Sequence, residues 1–244
     1  MDGLLILAIE TASGCGSVAL TIGGRSQGRL LAEYSHYPAR SHSRHLLGMV
    51  QTMLKESAVP WEEIDAVAVS QGPGSFTGLR IGMAAAKGLA FAAGKPLVAV
   101  PTLDTLAAQM PALQEPVCAL LDARKNQVYA ALYNTTAVDE AGLPKRLGPY
   151  LVAASATLLA QFVEPVLCIG PGLAACDESF RTHPLVRTAP ISIGLPRAAM
   201  VGFCAADLLG CGNTARLSDH NPLYVRASEA ELNLAAQRAK ETQV

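Results

Sequence analysis

Ala66-Val67-Ala68-Val69-Ser70-Gln71-Gly72-Pro73-Gly74-Ser75-Phe76-Thr77-Gly78-Leu79-Arg80 reads as a short apolar strand that passes through a glycine-rich loop into a helix. Glycines let a backbone pass close to another group, and the helix start beyond them offers unpaired N–H donors. The Gly-Lys-Ser/Thr ending of a Walker loop is missing, so the spacing favours a tight strand-to-helix turn over a phosphate cradle. The helix continues to about Gly94, and Gly74, Gly78, Gly82, Ala86, Ala90 and Gly94 recur at every fourth position. Such a stripe weakens an isolated helix by about 1 kcal/mol per interior glycine, so a close neighbour must offset the loss. The neighbour is either the chain's own sheet or a helix of another subunit, and spacing does not choose between them.

Upstream, Leu4 to Glu10, Ser17 to Ile22 and Leu30 to Tyr37 read as three strands joined by short glycine turns, an antiparallel meander. Between them and the loop, Leu46, Leu47, Val50, Met53 and Leu54 form an apolar stripe on a helix from about Ser43 to Lys55, with Ser41 or Ser43 as its cap. Downstream, Leu97 to Val100 is a strand and Leu103 to Met110 begins a helix, giving the order βββαβαβα. A coarser echo follows. It has strands at Val117–Asp122, Gln127–Tyr133 and Leu147–Val152, a helix at Ser155–Phe162, a strand at Val166–Gly170 and a helix at Pro196–Gly210. Pro196 suits that helix's first turn. The stretch from 171 to 195 reads as loop. Two copies of this order point to an α/β protein of the actin-like ATPase or ASKHA class, in two lobes with the second copy degenerate. The expected division is 1–102 plus about 196–214 for the first lobe, 103–195 for the second, and 215–244 as a C-terminal extension and tail.

Composition narrows the function. Half of the 244 residues are apolar, 16% are charged, and the formal net charge is −1. A chain that grips nucleic acid unaided usually shows a basic excess, so direct tight binding is disfavoured. None of the six cysteines forms a CxxC pair, and most sit in apolar runs, as small core residues do. No signal-peptide pattern or membrane span is read, which makes the expected location cytoplasmic. His42 and His45 have no third ligand nearby and no G-x-S-x-G elbow accompanies Ser41 or Ser43, so neither a metal site nor a hydrolytic triad is expected. Glu10 and Asp122 each end the first strand of a copy, where paired acids facing a cleft could hold a metal–nucleotide. The turn after Asp122, Ala123-Arg124-Lys125-Asn126-Gln127, is too bulky and basic to wrap phosphates closely.

Specific motifs then appear in series. They are Ile9-Glu10-Thr11-Ala12, the run from Ser70 to Gly82, Lys87-Gly88-Leu89-Ala90, Val100-Pro101-Thr102-Leu103, Leu121-Asp122-Ala123-Arg124 and Val128-Tyr129. Together they resemble the bacterial TsaB (YeaZ) family of tRNA threonylcarbamoyladenosine biosynthesis proteins, over about Leu4 to Arg226. The resemblance implies an actin-like fold and a non-catalytic paralogue of the transferase TsaD, acting on ANN-decoding tRNAs. It implies docking to a TsaD-like transferase through the first two helices, with a TsaE-like ATPase joining the pair. It further implies a homodimer through the same surface without the partner, and contact with tRNA only through the complex. The interface positions implied are His42, Leu46, Leu47, Val50, Gly78, Gly82, Ala85, Ala86 and Leu89. The catalytic paralogue carries an HxxxH metal pair after its fifth strand. Thr102 and Leu106 stand there in this chain, so the resemblance implies neither transferase nor protease chemistry. No cofactor is required. Weak ATP or ADP binding at the cleft or the subunit boundary is a secondary reading of Glu10, Thr11, Gly72, Gly74 and Ser75, and the alternative function is a nucleotide-hydrolysing or phosphotransfer enzyme of the same fold.

Overall fold

A computed structural model describes residues 3–37, 42–212 and 219–226, with 42–44 by backbone alone. Strands β1 (Leu5–Glu10), β2 (Gly16–Ile22) and β3 (Arg29–His36) form the meander, and helix α1 (His42–Glu56) follows. Ser41 and the side chain of Ser43 lie outside the described residues, and with them the cap of α1. Strand β4 (Ala66–Gly72), helix α2 (Phe76–Ala93), strand β5 (Leu97–Pro101) and helix α3 (Thr102–Ala108) complete the first copy. The sheet runs β3-β2-β1-β4-β5, with β4 and β5 parallel to β1 and the meander antiparallel.

The second copy repeats that topology. Strands β6 (Val117–Asp122), β7 (Val128–Val138), β8 (Pro144–Arg146), β10 (Val166–Ile169) and β11 (Val186–Thr188) run in the order β11-β10-β6-β7-β8. Its third strand is split into β8 and β9 (Leu151–Ala153), both antiparallel to a β7 that runs five residues past the expected Tyr133. Helix α4 (Ser155–Leu159) is short. The stretch expected to be loop from 171 to 195 holds 3-10 turns at Pro171–Ala175 and Ile191–Ile193, helix α5 (Glu178–Arg181) and β11. These three-to-five-residue pieces are too short to show a period, which is why they read as loop.

Alternation along β1 builds two cores. Leu5, Leu7 and Ile9 pack with Leu46, Val50 and Met53 of α1 and Met83, Ala86 and Ala90 of α2. Ile6 and Ala8 face the other way, with Ala19, Ala66, Ala68, Val98 and Val100, onto helix α6 (Ala198–Gly210). The alanines bring α6 close: a Cβ on Gly202 would stand 2.4 Å from Thr21 Oγ1. The helix that follows the fifth strand of each copy crosses to the other lobe. Thus α3 packs on β6, β7 and β8 as well as on its own β4 and β5, while α6 covers β1, β2, β4 and β5. Pro196 lies one residue before the N-cap Arg197, outside the helix and not in its first turn. That N-cap makes no side-chain bond. Side chains of the meander substitute: Ser17 Oγ accepts from Ala198 N at 2.9 Å and Glu33 Oε1 from Ala199 N at 3.0 Å.

Among the described residues no helix is long and apolar enough to cross a membrane. Five cysteines are buried and Cys211 is exposed, all as free thiols.

Candidate functional site

The glycine loop is packed against its own chain. Ser75 caps α2, its Oγ accepting from Gly78 N at 3.3 Å, while Ser75 N donates to Ala12 O at 2.7 Å. A Cβ on Gly74 would stand 2.4 Å from Ala12 O, and one on Gly78 2.0 Å from Thr11 O. Thr11 Oγ1 donates to Gly78 O at 2.8 Å and would lie 2.1 Å from a Cβ on Gly82. On the other side, Leu223 O would be 2.8 Å from a Cβ on Gly72, whose φ is +111°. The glycines therefore admit backbone of the β1–β2 turn and of the C-terminal segment, and the tight-turn reading of the spacing is the one realised.

Glu10 and Thr11 do not face a cleft. Both are fully enclosed. Glu10 Oε1 accepts from Ala12 N at 2.5 Å, and among the described residues Oε2 has no hydrogen-bond partner. Burial pushes the carboxyl up to about 7, against the lowering effect of hydrogen bonds from Ala12, Ser70 and Ser13. Asp122 is exposed, accepting from Arg124 N at 2.7 Å and pairing with the Arg124 guanidinium at 3.4 Å. The turn beyond it holds Arg124, Lys125 and Asn126 all at positive φ, between 54° and 64°. Glu10 is thus enclosed while Asp122 faces solvent.

Thr102 and Leu106 open and close the first turn of α3, and both are fully buried. Thr102 Oγ1 accepts from Gly72 N at 3.1 Å, and Leu106 packs with Val117, Ala119 and Tyr133 of the second lobe. A leucine side chain has no donor atom for a metal. Asp104, between them, accepts from Tyr133 Oη at 2.6 Å and Tyr150 Oη at 2.8 Å, and burial holds its carboxyl above the usual range. This buried acid ties the lobes together and has no access to solvent chemistry.

Helices α1 and α2 lie side by side on one face of the first sheet, α1 over β2 and β3 of the meander and α2 over β4 with β1 and β5. Leu46, Val50 and Ala86 belong to the lobe's own core, and Gly78 and Gly82 press on Thr11. Ala85 and Leu89 are half-buried against that core. Ala86 is fully enclosed, so an arginine there would disrupt the lobe itself. Of the eight positions whose side chains are described, Leu47 alone is exposed, at 53%. The side chain of His42 lies outside the described residues.

The outward face carries positions outside those nine: Gly48 on α1, and Ala84, Gly88 and Phe91 on α2, with Phe91 81% exposed. No described atom outside the local helix lies within 4 Å of where a Cβ would stand on Gly48 or Gly88. A cleft of about 610 Å³ continues the face, lined by Trp61, Glu62, Leu89, Ala92, Ala93 and Lys95. The available signal was a second set of small and apolar residues, Ala84 and Gly88 two positions out of phase with the buried stripe and Phe91 one position past Ala90.

Residues 30–158 match the family model for TsaD, tRNA N6-adenosine threonylcarbamoyltransferase. The tRNA threonylcarbamoyladenosine biosynthesis protein TsaB of Escherichia coli is 41% identical over 233 residues, covering 92% of this chain and 96% of that one. The chain belongs to the TsaB family. TsaB of Haemophilus influenzae is 36% identical over a shorter match, 53% of each chain. The solved YeaZ of Pseudomonas aeruginosa superposes with a TM-score of 0.72 at 27% identity, over 91% of this chain and 100% of that one. The actin-like α/β class expected from element order therefore holds for this TsaB family member.

Proposed function

We propose that this chain is the non-catalytic subunit of a tRNA threonylcarbamoyladenosine-forming complex in the cytoplasm, and that it activates a TsaD-like transferase by docking through the outer faces of α1 and α2. The observation that carries the reading is the pair of exposed helical glycines, Gly48 and Gly88, flanked by exposed Leu47 and Phe91. Each interior glycine costs a helix about 1 kcal/mol, and among the described residues nothing requires either one. A second backbone brought against the face gives both a reason. The TsaB names of the relatives supply the pathway. The leucine at 106 supports a subunit without metal chemistry of its own. A TsaE-like ATPase joins this pair, tRNA is met through the complex, and a second copy covers the same face in the partner's absence.

The test is threonylcarbamoyl transfer to tRNA by the transferase, the ATPase and the activated adenylate, with and without this chain. Transfer that requires a chain inert by itself supports the proposal; equal transfer without it refutes it. Gly88→Arg and Phe91→Glu change only exposed positions. Both should abolish co-elution with the transferase while circular dichroism stays unchanged, and retained co-elution of both would remove the assignment to this face.

A further inference from the structure

Beyond α6, the segment Asn221 to Arg226 carries no regular secondary structure and touches both lobes. Its first half holds the first lobe. Leu223 N donates to Gln71 O at 2.8 Å, and Gln71 Nε2 donates to Asn221 O at 3.1 Å. Tyr224 follows, its hydroxyl accepting from Arg80 Nε at 3.1 Å and its ring 5.2 Å from that of Phe76, over which Arg80 also lies at 3.9 Å. Two residues on, the segment reaches the second lobe. Arg226 donates to Gln127 Oε1 at 3.1 Å and to Ala123 O at 3.4 Å. Six residues thus connect the start of α2 to the β6–β7 turn.

We propose that Asn221–Arg226 is a releasable clasp, and that the glycine loop and the β6–β7 turn loosen together when it lets go. Two features set its character. The contacts are hydrogen bonds and one tilted ring pair, and the segment's own residues are all exposed or half-buried, without a buried apolar side chain among them, so release lies at the low end of the molecule's opening energies. Its two ends grip different lobes through different residues, so loss of either grip is felt at the other. The clasp also sets access to the loop: with Leu223 O against Gly72, an anionic group cannot approach that backbone until the segment leaves. The device stands on these contacts alone and does not depend on which partner the outer helical face takes.

Amide hydrogen exchange on the full-length chain tests the coupling, comparing the parent with Arg226→Ala and Tyr224→Ala. Arg226 touches the second lobe alone and Tyr224 the first. Removing Arg226 should speed exchange of the Leu223 amide, held by Gln71 O, by about tenfold or more. Removing Tyr224 should do the same at Gln127 and Ala123, whose amides close the opposite turn. Amides at the centres of β1 and β6 report that both variants keep the fold. Exchange that rises only on the side of the substituted contact overturns the proposal.

Discussion

Gly78 and Gly88 share one helix, and the same substitution should act on them with opposite sign. A methyl on Gly78 would stand 2.0 Å from Thr11 O, when ordinary contact begins near 3.4 Å. The obstacle is backbone at the end of a fully buried strand, so β1 and α2 must separate by more than an ångström. Overpacking of this kind costs about 1–3 kcal/mol. Separation also stretches the buried bond from Thr11 Oγ1 to Gly78 O, whose loss costs about 1–3 kcal/mol more. Helix propensity returns at most about 1 kcal/mol. The net is about 1–5 kcal/mol of destabilisation for Gly78→Ala. At Gly88 a methyl meets open space, and propensity alone acts, stabilising by about 0.5–1 kcal/mol. In a chain of this size each kcal/mol moves the melting midpoint by about 2–4 °C. Urea unfolding followed by circular dichroism, with thermal melts beside it, reads both. If Gly78→Ala proved neutral or stabilising, the packing of α2 on the β1–β2 turn described above would be wrong. A destabilising Gly88→Ala would show that the outward face is occupied within the chain itself.

Glu10 predicts a pH dependence. Its folded pKa of about 7 lies above the ordinary 4.5, so the native state holds the proton more tightly than the unfolded chain does. Stability from this group is full below pH 4.5, declines as pH rises toward 7 and is lost above it, a drop of about 3 kcal/mol. Glu10→Gln should therefore match the parent near pH 4.5 and be more stable at pH 8; parallel stability–pH curves would contradict the assignment. Asp104→Ala strands two tyrosine hydroxyls, one fully buried, and should cost about 2–4 kcal/mol in urea unfolding. Tyr133→Phe, which removes donor and need together, should cost less than half as much, and equal losses would mean that Asp104 acts by packing.

The first copy was legible because its elements are long. The strands of the meander and the helices α1 and α2 each span enough residues for period 2 or period 3.6 to show, and glycine turns separate them. In the second copy β8, β9, α4, α5 and β11 have three to five residues each, and their placement comes from pairing to β7 and β10, a nonlocal fact. Helix α2 has apolar or small residues on nearly every side. The stripe at every fourth position was read correctly as a close contact, but only the position of Thr11 decided that the contact was internal. Phe91 stood in plain view and was passed over, because a lone aromatic near a helix end gives no direction until the sheet beneath is placed. The acid at Glu10 looked like a ligand group from its place at a strand end. Full enclosure is set by the β1–β2 turn and β4 closing over it, and no local pattern reports that.

The crossing of α6 onto the first sheet has a consequence for synthesis. Ile6, Ala8, Ala19, Ala68, Val98 and Val100 are all made within the first hundred residues, yet the helix that covers them ends at Gly210. At about 5–20 residues per second, a ribosome needs about 5–20 s more to deliver that helix. For that interval the nascent first lobe carries an apolar sheet face with nothing of its own to lay on it. The alanines that let α6 sit close also make that face shallow and less adhesive than a leucine-rich one, so the dense fit of the finished lobe and the safety of the half-made one come from the same small side chains.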